Sequence, residues 1–265
     1  MTSDHLLVDG LALRYHVQGS GQPLLLVSGL GASLDIWEPL YGVLPGFETI
    51  AFDVPGVGES PFPRWPLTIS RLARLTAGVV AALGHDRIDV LGVSWGGGLA
   101  QAVAHATPDR VRRLVLAATS FGLGALPGRP SALLRLANPF RYHVDGKLEH
   151  FAPTIYGGGI EDHPDLLEQF AAALRRTPPS ARGFAWQIVA ASTWSSLPWL
   201  HRLPQPTLIL AGDKDPIVPV INARVMAHLI PNARLRVVHG GGHLFLLTHA
   251  AELVPEIASF LQAPD

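Results

Sequence analysis

A serine stands between two glycines at Gly92-Val-Ser94-Trp-Gly96, which is a G-x-S-x-G arrangement. Such a serine carries nucleophilic chemistry when its hydroxyl is exposed on a sharp turn between a strand and a helix. The neighbouring sequence favours that turn, because Ile88–Leu91 is a strand-like apolar run and a helical pattern opens at Trp95. The glycines allow close backbone approach, and the helix N-terminus adds a positive dipole near a developing oxyanion. We therefore predict that Ser94 is a nucleophile for acyl transfer.

A nucleophilic serine needs a general base, and the base needs a carboxylate to orient it. For this type of turn they follow in the order Ser, Asp or Glu, His. Candidates lie in two later loops, Gly212-Asp-Lys-Asp215 and His239-Gly-Gly-Gly-His243. We favour Asp215 over Asp213, because Asp213 directly follows a strand-like run and can simply cap the turn. We favour His243 over His239, because three glycines let the chain turn and present it.

Two fixed backbone donors are also required to stabilise the oxyanion of acyl transfer. One is the N–H of the residue after the nucleophile, here Trp95. The second should come from the loop Gly29-Leu-Gly-Ala32, which follows the strand-like run Leu24–Ser28. Glycines on both sides free the backbone to turn inward at Leu30, so we predict the Leu30 N–H as the second donor.

No cofactor site is evident. His239 and His243 are four residues apart, a spacing that can hold a metal on a helix, but the glycines between them oppose a helix and no third ligand lies nearby. The chain has no cysteine, no P-loop and no complete G-x-G-x-x-G between a strand and a helix. We expect neither a metal nor an organic cofactor.

The candidate loops are positioned by short apolar runs that alternate with helical patterns. This alternation predicts an α/β fold, with a mostly parallel central sheet and helices on both faces. The first 17 residues, with a turn at Asp9-Gly10, predict an antiparallel hairpin at the edge. The predicted strands are Leu24–Ser28, Thr49–Phe52, Ile88–Val93, Val111–Ala117, Pro206–Ala211 and Leu235–Val238; the helices are Ile69–Leu83, Trp95–Ala106, Val220–Leu229 and Ala250–Leu261.

The alternation fails between residues 121 and 203, where strand signals are poor and helix-like pieces such as Asp165–Arg176 occur. We interpret residues 121–203 as a helical cap inserted into a core made of residues 1–120 and 204–265. Ligands of open α/β sheets bind at the carboxyl ends of the strands, so a cap that enters and leaves there would cover the site.

The composition of the chain limits the kinds of partner that we expect the protein to bind. The 265 residues carry a formal net charge of -1, so we expect no general attraction to nucleic acid. Hydrophobic residues make up 48% and charged residues only 15%, against about 25% in an average soluble domain. The N-terminal residues lack the pattern of a signal peptide, and no apolar run reaches about 18 residues. We expect a cytoplasmic protein without a transmembrane segment.

Five segments together resemble the α/β-hydrolase fold and, more narrowly, the intracellular depolymerases of medium-chain-length poly(3-hydroxyalkanoates). They are Ala51-Phe-Asp-Val-Pro-Gly-Val-Gly58, Gly92-Val-Ser-Trp-Gly-Gly97, Ala152-Pro-Thr-Ile-Tyr-Gly-Gly-Gly159, Pro206-Thr-Leu-Ile-Leu-Ala-Gly-Asp213 and Gly242-His-Leu-Phe-Leu246. The resemblance places the family's catalytic triad at Ser94, Asp215 and His243. It also implies that the ester is a link of a 3-hydroxyalkanoate polyester, and that the charge-poor surface docks on a hydrophobic polyester granule.

The predicted reaction is hydrolysis of carboxylic esters with apolar acyl groups. Trp95 beside the nucleophile and Leu244 and Phe245 beside the base suggest an apolar substrate pocket. Leu30 of the oxyanion loop should also line this pocket, which Tyr156, Trp186 and Trp194 could cover from the cap. A small-molecule esterase or lactonase remains an alternative, as does a non-catalytic ligand-binding protein of the same fold. Epoxide hydrolysis and dehalogenation are disfavoured because they normally require Asp in place of Ser94. A polyester synthase is disfavoured because it normally requires Cys at that position.

Overall fold

Eight strands form one sheet in the computed structural model, which describes residues 3–137 and 147–264. The sheet order is β1-β2-β4-β3-β5-β6-β7-β8, with β1 and β2 antiparallel to their neighbours and the other pairs parallel. The strands are β1 (Asp4–Val8), β2 (Leu11–Gly19), β3 (Gln22–Val27), β4 (Phe47–Phe52), β5 (Ile88–Val93), β6 (Val111–Ala117), β7 (Thr207–Gly212) and β8 (Ala233–Val238). The predicted mostly parallel sheet is confirmed.

Helices cover both faces of the sheet and fill the stretch between β6 and β7. They are α1 (Ile69–Ala82), α2 (Trp95–Ala106), α3 (Pro130–Leu136), α4 (Lys147–Tyr156), α5 (Pro164–Arg176), α6 (Ala181–Ser192), α7 (Val220–Leu229), α8 (Phe245–Thr248) and α9 (Ala250–Gln262). A 3-10 helical stretch, Leu34–Leu40, follows β3. Within the two described ranges, none of the helices is both long and apolar enough to cross a membrane.

Strand β3 shows why the central strands have continuous apolar sequences. Leu24 and Leu26 pack on the face that α9 covers, whereas Leu25 and Val27 pack on the face that α1 and α2 cover. All four side chains are at most 1% exposed. Because successive side chains of a strand point to opposite faces, a strand buried on both faces needs an apolar residue at every position.

The ends of the sheet differ from its centre. Asp9 and Gly10 both have positive φ, 49° and 78°, as the predicted hairpin turn between β1 and β2 requires. At the other end, β8 begins at Ala233, before the predicted start at Leu235. Arg234 and Arg236 interrupt the apolar run because β8 is an edge strand, and both form ion pairs with Glu256 of α9.

Helices α3 to α6 lie between β6 and β7, in the stretch where we predicted a helical cap. We call the described parts of this stretch, residues 121–137 and 147–203, the insertion; residues 138–146 of the predicted cap lie outside the described residues. A separate apolar cluster joins α3, α4 and α5 and includes Ile155, Leu167 and Leu174. Ala32 and Ile217 of the core pack into the same cluster, so the insertion lies against the loops that follow β3 and β7.

A buried ionic network connects the core to the insertion. Arg14 of β2 donates two hydrogen bonds to Asp35, at 2.9 and 3.1 Å, and a longer one to Asp53. Thr177, directly after α5, donates to Ser33 and Asp35. Burial raises the pKa of Asp53 to about 6; at Asp35 burial is outweighed by the hydrogen bonds and charge of Arg14, which hold its pKa below the usual value.

Replacing Arg14 by methionine should lower the free energy of unfolding at pH 7 by about 3–5 kcal/mol, because it leaves buried carboxylates without their counter-ion. The matched control is Arg176→Met, which removes an ion pair with Glu38 whose side chains are 48% and 45% exposed; such pairs contribute about 0–1 kcal/mol. Urea unfolding measures the free energy of unfolding of both variants.

The network also makes stability depend on pH. The stability that Asp35 supplies is present above the pKa that its carboxyl has in the unfolded chain, and it is lost as pH falls through the lower pKa of the folded state. Equal losses for the two variants at pH 7 would contradict this interpretation of the network.

Candidate active site

Ser94 lies on the turn that joins β5 to α2. Its φ of 54° and ψ of -122° are unusual for a residue other than glycine. This conformation makes the sharp turn between strand and helix on which the side chain projects. The flanking glycines are required sterically. A Cβ on Gly96 would stand 2.2 Å from the Val27 carbonyl oxygen, and a Cβ on Gly92 would stand 2.5 Å from the Gly96 carbonyl oxygen. The predicted strained turn at the G-x-S-x-G segment is therefore present.

The structure brings Ser94, His243 and Asp215 into one hydrogen-bonded chain. The Ser94 Oγ and His243 Nε2 atoms lie 3.0 Å apart, and His243 Nδ1 lies 2.7 Å from Asp215 Oδ2. The side chains of His243 and Asp215 are 7% and 1% exposed. A carboxylate only accepts hydrogen bonds, so the imidazole proton is on Nδ1 and Nε2 can accept the serine proton.

Backbone contacts hold the carboxylate and the imidazole in place. Asp215 Oδ1 accepts N–H bonds from Ile217, at 2.8 Å, and Val218, at 2.9 Å, which leaves Oδ2 for His243. The His243 N–H donates to the carbonyl oxygen of Tyr156, the last residue of α4. The loop that carries the predicted base is thus attached to the insertion.

The alternative acid and base form a pair of their own. His239 Nδ1 lies 3.1 Å from Asp213 Oδ2, and the His239 side chain is 85% exposed. Asp213 Oδ1 accepts the N–H of Gly240 at 2.8 Å, the turn-capping role that we considered for it. The geometry therefore separates the candidates into a buried pair that reaches Ser94 and a surface pair that does not.

The predicted oxyanion donors both lie next to Ser94. Trp95 is the first residue of α2, so its N–H has no acceptor within the helix. The loop Gly29–Ala32 lies against the nucleophile, since a Cβ on Gly29 would be 3.4 Å from the Ser94 Cβ. In this loop Gly31 donates to Gln187 and Ala32 donates to Gly29, whereas the Leu30 N–H has no acceptor among the described residues.

A cavity of about 170 Å³, which we call the first cavity, opens beside Ser94. Its walls come from the oxyanion loop, the 3-10 stretch after β3, helices α4 and α5, and the loop that carries His243. The lining residues are mainly apolar: Gly29, Leu30, Ala32, Ile36, Trp37, Leu40, Val93, Ser94, Trp95, Leu136, Tyr156, Phe170, Leu174, His243, Leu244, Leu246 and Leu247. All of these residues are buried or only partly exposed.

A second cavity, of about 290 Å³, shares only Ser94 and Trp95 with the first. It lies between α2, the loop after β6, and the loop after α6, and it has more polar lining, including Thr119, Ser120 and Asn222. Leu126 and Pro127 at its edge are exposed, so this cavity opens to solvent. Ser94 therefore stands between an apolar, covered cavity and a more polar, open one.

Five of the seven predicted substrate-binding residues line these cavities: Leu30, Tyr156 and Leu244 the first, Trp194 the second, and Trp95 both. The other two line neither cavity. Phe245 is fully buried in the core cluster on the α9 face of the sheet. Trp186 lies on α6, where Arg182 stacks over its ring and Phe62 meets it edge-on.

Sequence reasoning missed several residues of the site. Phe170 and Leu174 line the first cavity from α5, and their i, i+4 spacing was the available signal, although it does not tell a pocket from a core. Trp37 lines it from the 3-10 stretch, its indole fixed by a hydrogen bond to Ser28. Gln187, which contacts the oxyanion loop from α6, had no sequence signal.

The fold and this site define an α/β hydrolase, and the chain belongs to that family: the α/β-hydrolase fold model matches residues 22–250. The chain is 47% identical over 241 residues to a poly(3-hydroxyalkanoate) depolymerase of Ectopseudomonas oleovorans, covering 91% of this chain and 84% of the relative. It is also 31% identical to a 2-hydroxymuconate semialdehyde hydrolase of Pseudomonas sp. (strain CF600), over 98% and 94% of the two chains. The resemblance stated from the sequence is confirmed.

Solved structures match over nearly the whole chain. A thermophilic esterase from Thermogutta terrifontis is 27% identical, with a TM-score of 0.81 and coverage of 99% of this chain and 98% of the esterase. An esterase from Exiguobacterium antarcticum has a TM-score of 0.84 at 23% identity and shows the fold alone. These similarities, which extend over the whole chain, confirm the predicted fold class.

Proposed function

We propose that this α/β hydrolase cleaves ester bonds of medium-chain-length poly(3-hydroxyalkanoate), or of its oligomers, through an acyl-enzyme on Ser94. The broader prediction, a carboxylic-ester hydrolase, is confirmed by its relationship to the Ectopseudomonas oleovorans depolymerase. The observation that carries the proposal is the hydrogen-bonded chain from Ser94 through His243 to Asp215 at the wall of an apolar cavity.

The geometry supports the usual steps of acyl transfer. His243 Nε2 removes the Ser94 proton as Oγ attacks the ester carbonyl carbon, and Asp215 stabilises the imidazolium. The carbonyl oxygen becomes an oxyanion that accepts the N–H bonds of Leu30 and Trp95. The tetrahedral intermediate then expels the alcohol, which takes the proton from His243. Water, activated by the same imidazole, releases the acyl group and restores Ser94.

The two cavities support an ester with substantial groups on both sides. The first cavity is apolar and covered, so it suits the alkyl-bearing acyl unit. The second has the hydroxyl residues Thr119 and Ser120 in its lining and opens to solvent past Leu126, so it suits the alcohol part of a chain that extends outward. A polyester link has this shape, because each bond joins one acyl unit to the next hydroxyacyl unit.

A small-molecule esterase or lactonase is the second candidate. It is favoured by the enclosure of the first cavity, whose lining residues are all buried or only partly exposed. Such a cavity accepts one short acyl group and does not by itself require a polymer on the other side of the bond.

We expect a medium-chain optimum among p-nitrophenyl esters from acetyl to dodecanoyl, together with clearing of a medium-chain polyhydroxyalkanoate suspension. The physical reason is that each buried methylene contributes about 0.8 kcal/mol until the first cavity is full. Ester hydrolysis with no clearing would move the function to the small-molecule candidate. The Ser94→Ala protein provides the blank for both assays.

We further propose that the protein acts in the cytoplasm at the surface of polyester granules. Three exposed leucines support the docking on an apolar granule surface: Leu123 and Leu126 are 56% and 57% exposed beside the mouth of the second cavity, and Leu197 is 39% exposed nearby. Leu197 is also adjacent to Gly124 in the loop that carries the other two. Sedimenting the same polymer suspension and measuring the bound fraction tests this; a protein that stays in the supernatant would contradict it.

A further inference from the structure

Gln187 of helix α6 contacts both parts of the predicted oxyanion hole. Its side-chain Oε1 accepts the N–H of Gly31 at 2.7 Å, in the middle of the oxyanion loop. Its backbone carbonyl accepts the indole N–H of Trp95 at 3.0 Å. Gln187 is 5% exposed and lines neither cavity, so it does not itself meet the substrate.

We propose that Gln187 is a positioning residue that holds the two oxyanion donors in register with Ser94, an inference that rests on the proposed function. Gly31 has a φ of 73°, in a region that glycine enters and leaves easily. A loop with this freedom holds the Leu30 N–H in one direction only if the next peptide is fixed. The hydrogen bond from Gly31 to Gln187 fixes that peptide.

The contact with Trp95 acts on the other donor through the backbone carbonyl of Gln187, which a substitution at this position retains, so a Gln187 variant tests the side-chain contact with Gly31. The Trp95 ring forms part of both cavity walls, and its backbone N–H is the first of α2. Anchoring the indole to the Gln187 carbonyl limits rotation of the side chain next to this N–H. One residue of α6 therefore contacts the neighbours of both donors.

The orientation of the Gln187 amide follows from its partner. Because the Gly31 N–H is a donor, the amide oxygen must face it, and the Nε2 group must face away. Nε2 is buried and has no hydrogen-bond partner in the described structure. An apolar residue of similar size leaves the Gly31 N–H without its acceptor, but it also removes the unsatisfied Nε2 group. The two effects on stability oppose each other, so we expect the fold to tolerate the change better than catalysis does.

This arrangement makes the oxyanion hole depend on the insertion. The Cβ position of Gly31 is 3.0 Å from the ring of Phe184, which is also on α6, so this helix lies directly over the loop. The core alone supplies Ser94, His243 and Asp215. The alignment of the donors that stabilise the transition state also requires α6 to be packed against the oxyanion loop.

The test compares Gln187→Leu with Gln205→Leu. Gln205 is 3% exposed and its side chain donates to two backbone carbonyls, those of Ala104 and Pro108, away from Ser94. For Gln187→Leu we expect kcat to fall about 10- to 100-fold with KM nearly unchanged, a smaller loss than the ~10²–10³ for removing one oxyanion donor. For Gln205→Leu we expect kcat and KM of the wild type.

A second readout separates positioning from a general structural role. A medium-chain trifluoromethyl ketone forms a tetrahedral oxyanion on Ser94, so its Ki should rise by the same factor as kcat/KM falls in Gln187→Leu. Melting temperatures are measured for both variants. If Gln187→Leu is too unstable to assay, Gln187→Met, which keeps the length of the side chain, replaces it.

The outcomes are distinguishable from failure of the proposed function. A wild-type protein that hydrolyses no ester overturns the proposed function itself. An active wild type with equal kcat and inhibitor affinity in Gln187→Leu overturns the role of Gln187. Equal losses of kcat in the Gln187 and Gln205 variants, in step with their melting temperatures, would also overturn it, because the effect would then be one of stability.

Discussion

Replacing Ser94 by alanine should lower kcat for ester hydrolysis by a factor of about 10⁶. The residual rate would be the one that substrate binding and the oxyanion contacts support without a nucleophile. The alanine has no oxygen to attack the carbonyl, and His243 then has no proton to accept from it. The measurement is kcat on the best p-nitrophenyl ester. The control is Ser195→Ala, whose hydroxyl donates to the carbonyls of Phe121 and Leu123, outside the hydrogen-bonded chain.

A covalent probe makes the same prediction independent of substrate choice. A fluorophosphonate should label the wild-type protein once, on Ser94, because the imidazole activates that hydroxyl alone. The Ser94→Ala protein should remain unlabelled, and the Ser195→Ala protein should label at the wild-type rate. A wild-type protein that does not label would support the non-catalytic ligand-binding alternative, and label on another serine would contradict the assignment of the nucleophile.

The residues of the hydrogen-bonded chain could be predicted because each lies in a loop directly after a parallel strand. Ser94 follows β5, Asp215 follows β7, and His243 follows β8. The carboxyl ends of parallel strands meet at one edge of the sheet, so sequence order and strand prediction together place the three loops in one region. The steric need for glycine at positions 92 and 96 gave the nucleophile turn a local signal as well.

The cavity walls were harder to predict because they depend on how the insertion helices pack on the core. Periodicity shows that a helix has an apolar face but not what that face meets. Trp186 illustrates the limit: it is one residue before Gln187, and the roughly 100° step of a helix places its ring beside Arg182 and Phe62 rather than over Ser94.

Leu244 and Phe245 show the same limit within two adjacent residues. Both follow the predicted base, and both were equally plausible as pocket residues. Helix α8 begins at Phe245, and this local turn directs Leu244 to the first cavity and Phe245 into the core, where it is fully buried. The difference arises from the conformation of the loop, which residue types alone do not determine.

The choice between the two aspartates has consequences beyond the identity of one residue. Asp215 is buried and shared between His243 and two backbone amides, whereas Asp213 pairs with an exposed histidine. A buried carboxylate at His243 Nδ1 fixes the tautomer in which Nε2 is a base. The pairing on the surface has no such effect, because His239 does not reach the nucleophile.

Replacing Asp215 by asparagine should therefore lower kcat by about 10⁴ while the protein stays folded. The remaining side-chain oxygen can still accept the N–H groups of Ile217 and Val218, but the new Nδ2 group donates toward His243 Nδ1. The imidazole proton then moves to Nε2, which faces Ser94 as a donor and can no longer accept the serine proton.

The matched control is Asp213→Asn, for which we expect kcat within about twofold of the wild type, since the contact it weakens is on the surface. Steady-state kinetics on the same ester and urea unfolding are measured for both variants. A similar fall of kcat in the two variants, or a larger fall in Asp213→Asn, would contradict the proposal that Asp215 is the carboxylate that orients His243. A selective loss in Asp215→Asn means that the buried pair, with its fixed tautomer, makes Ser94 a nucleophile.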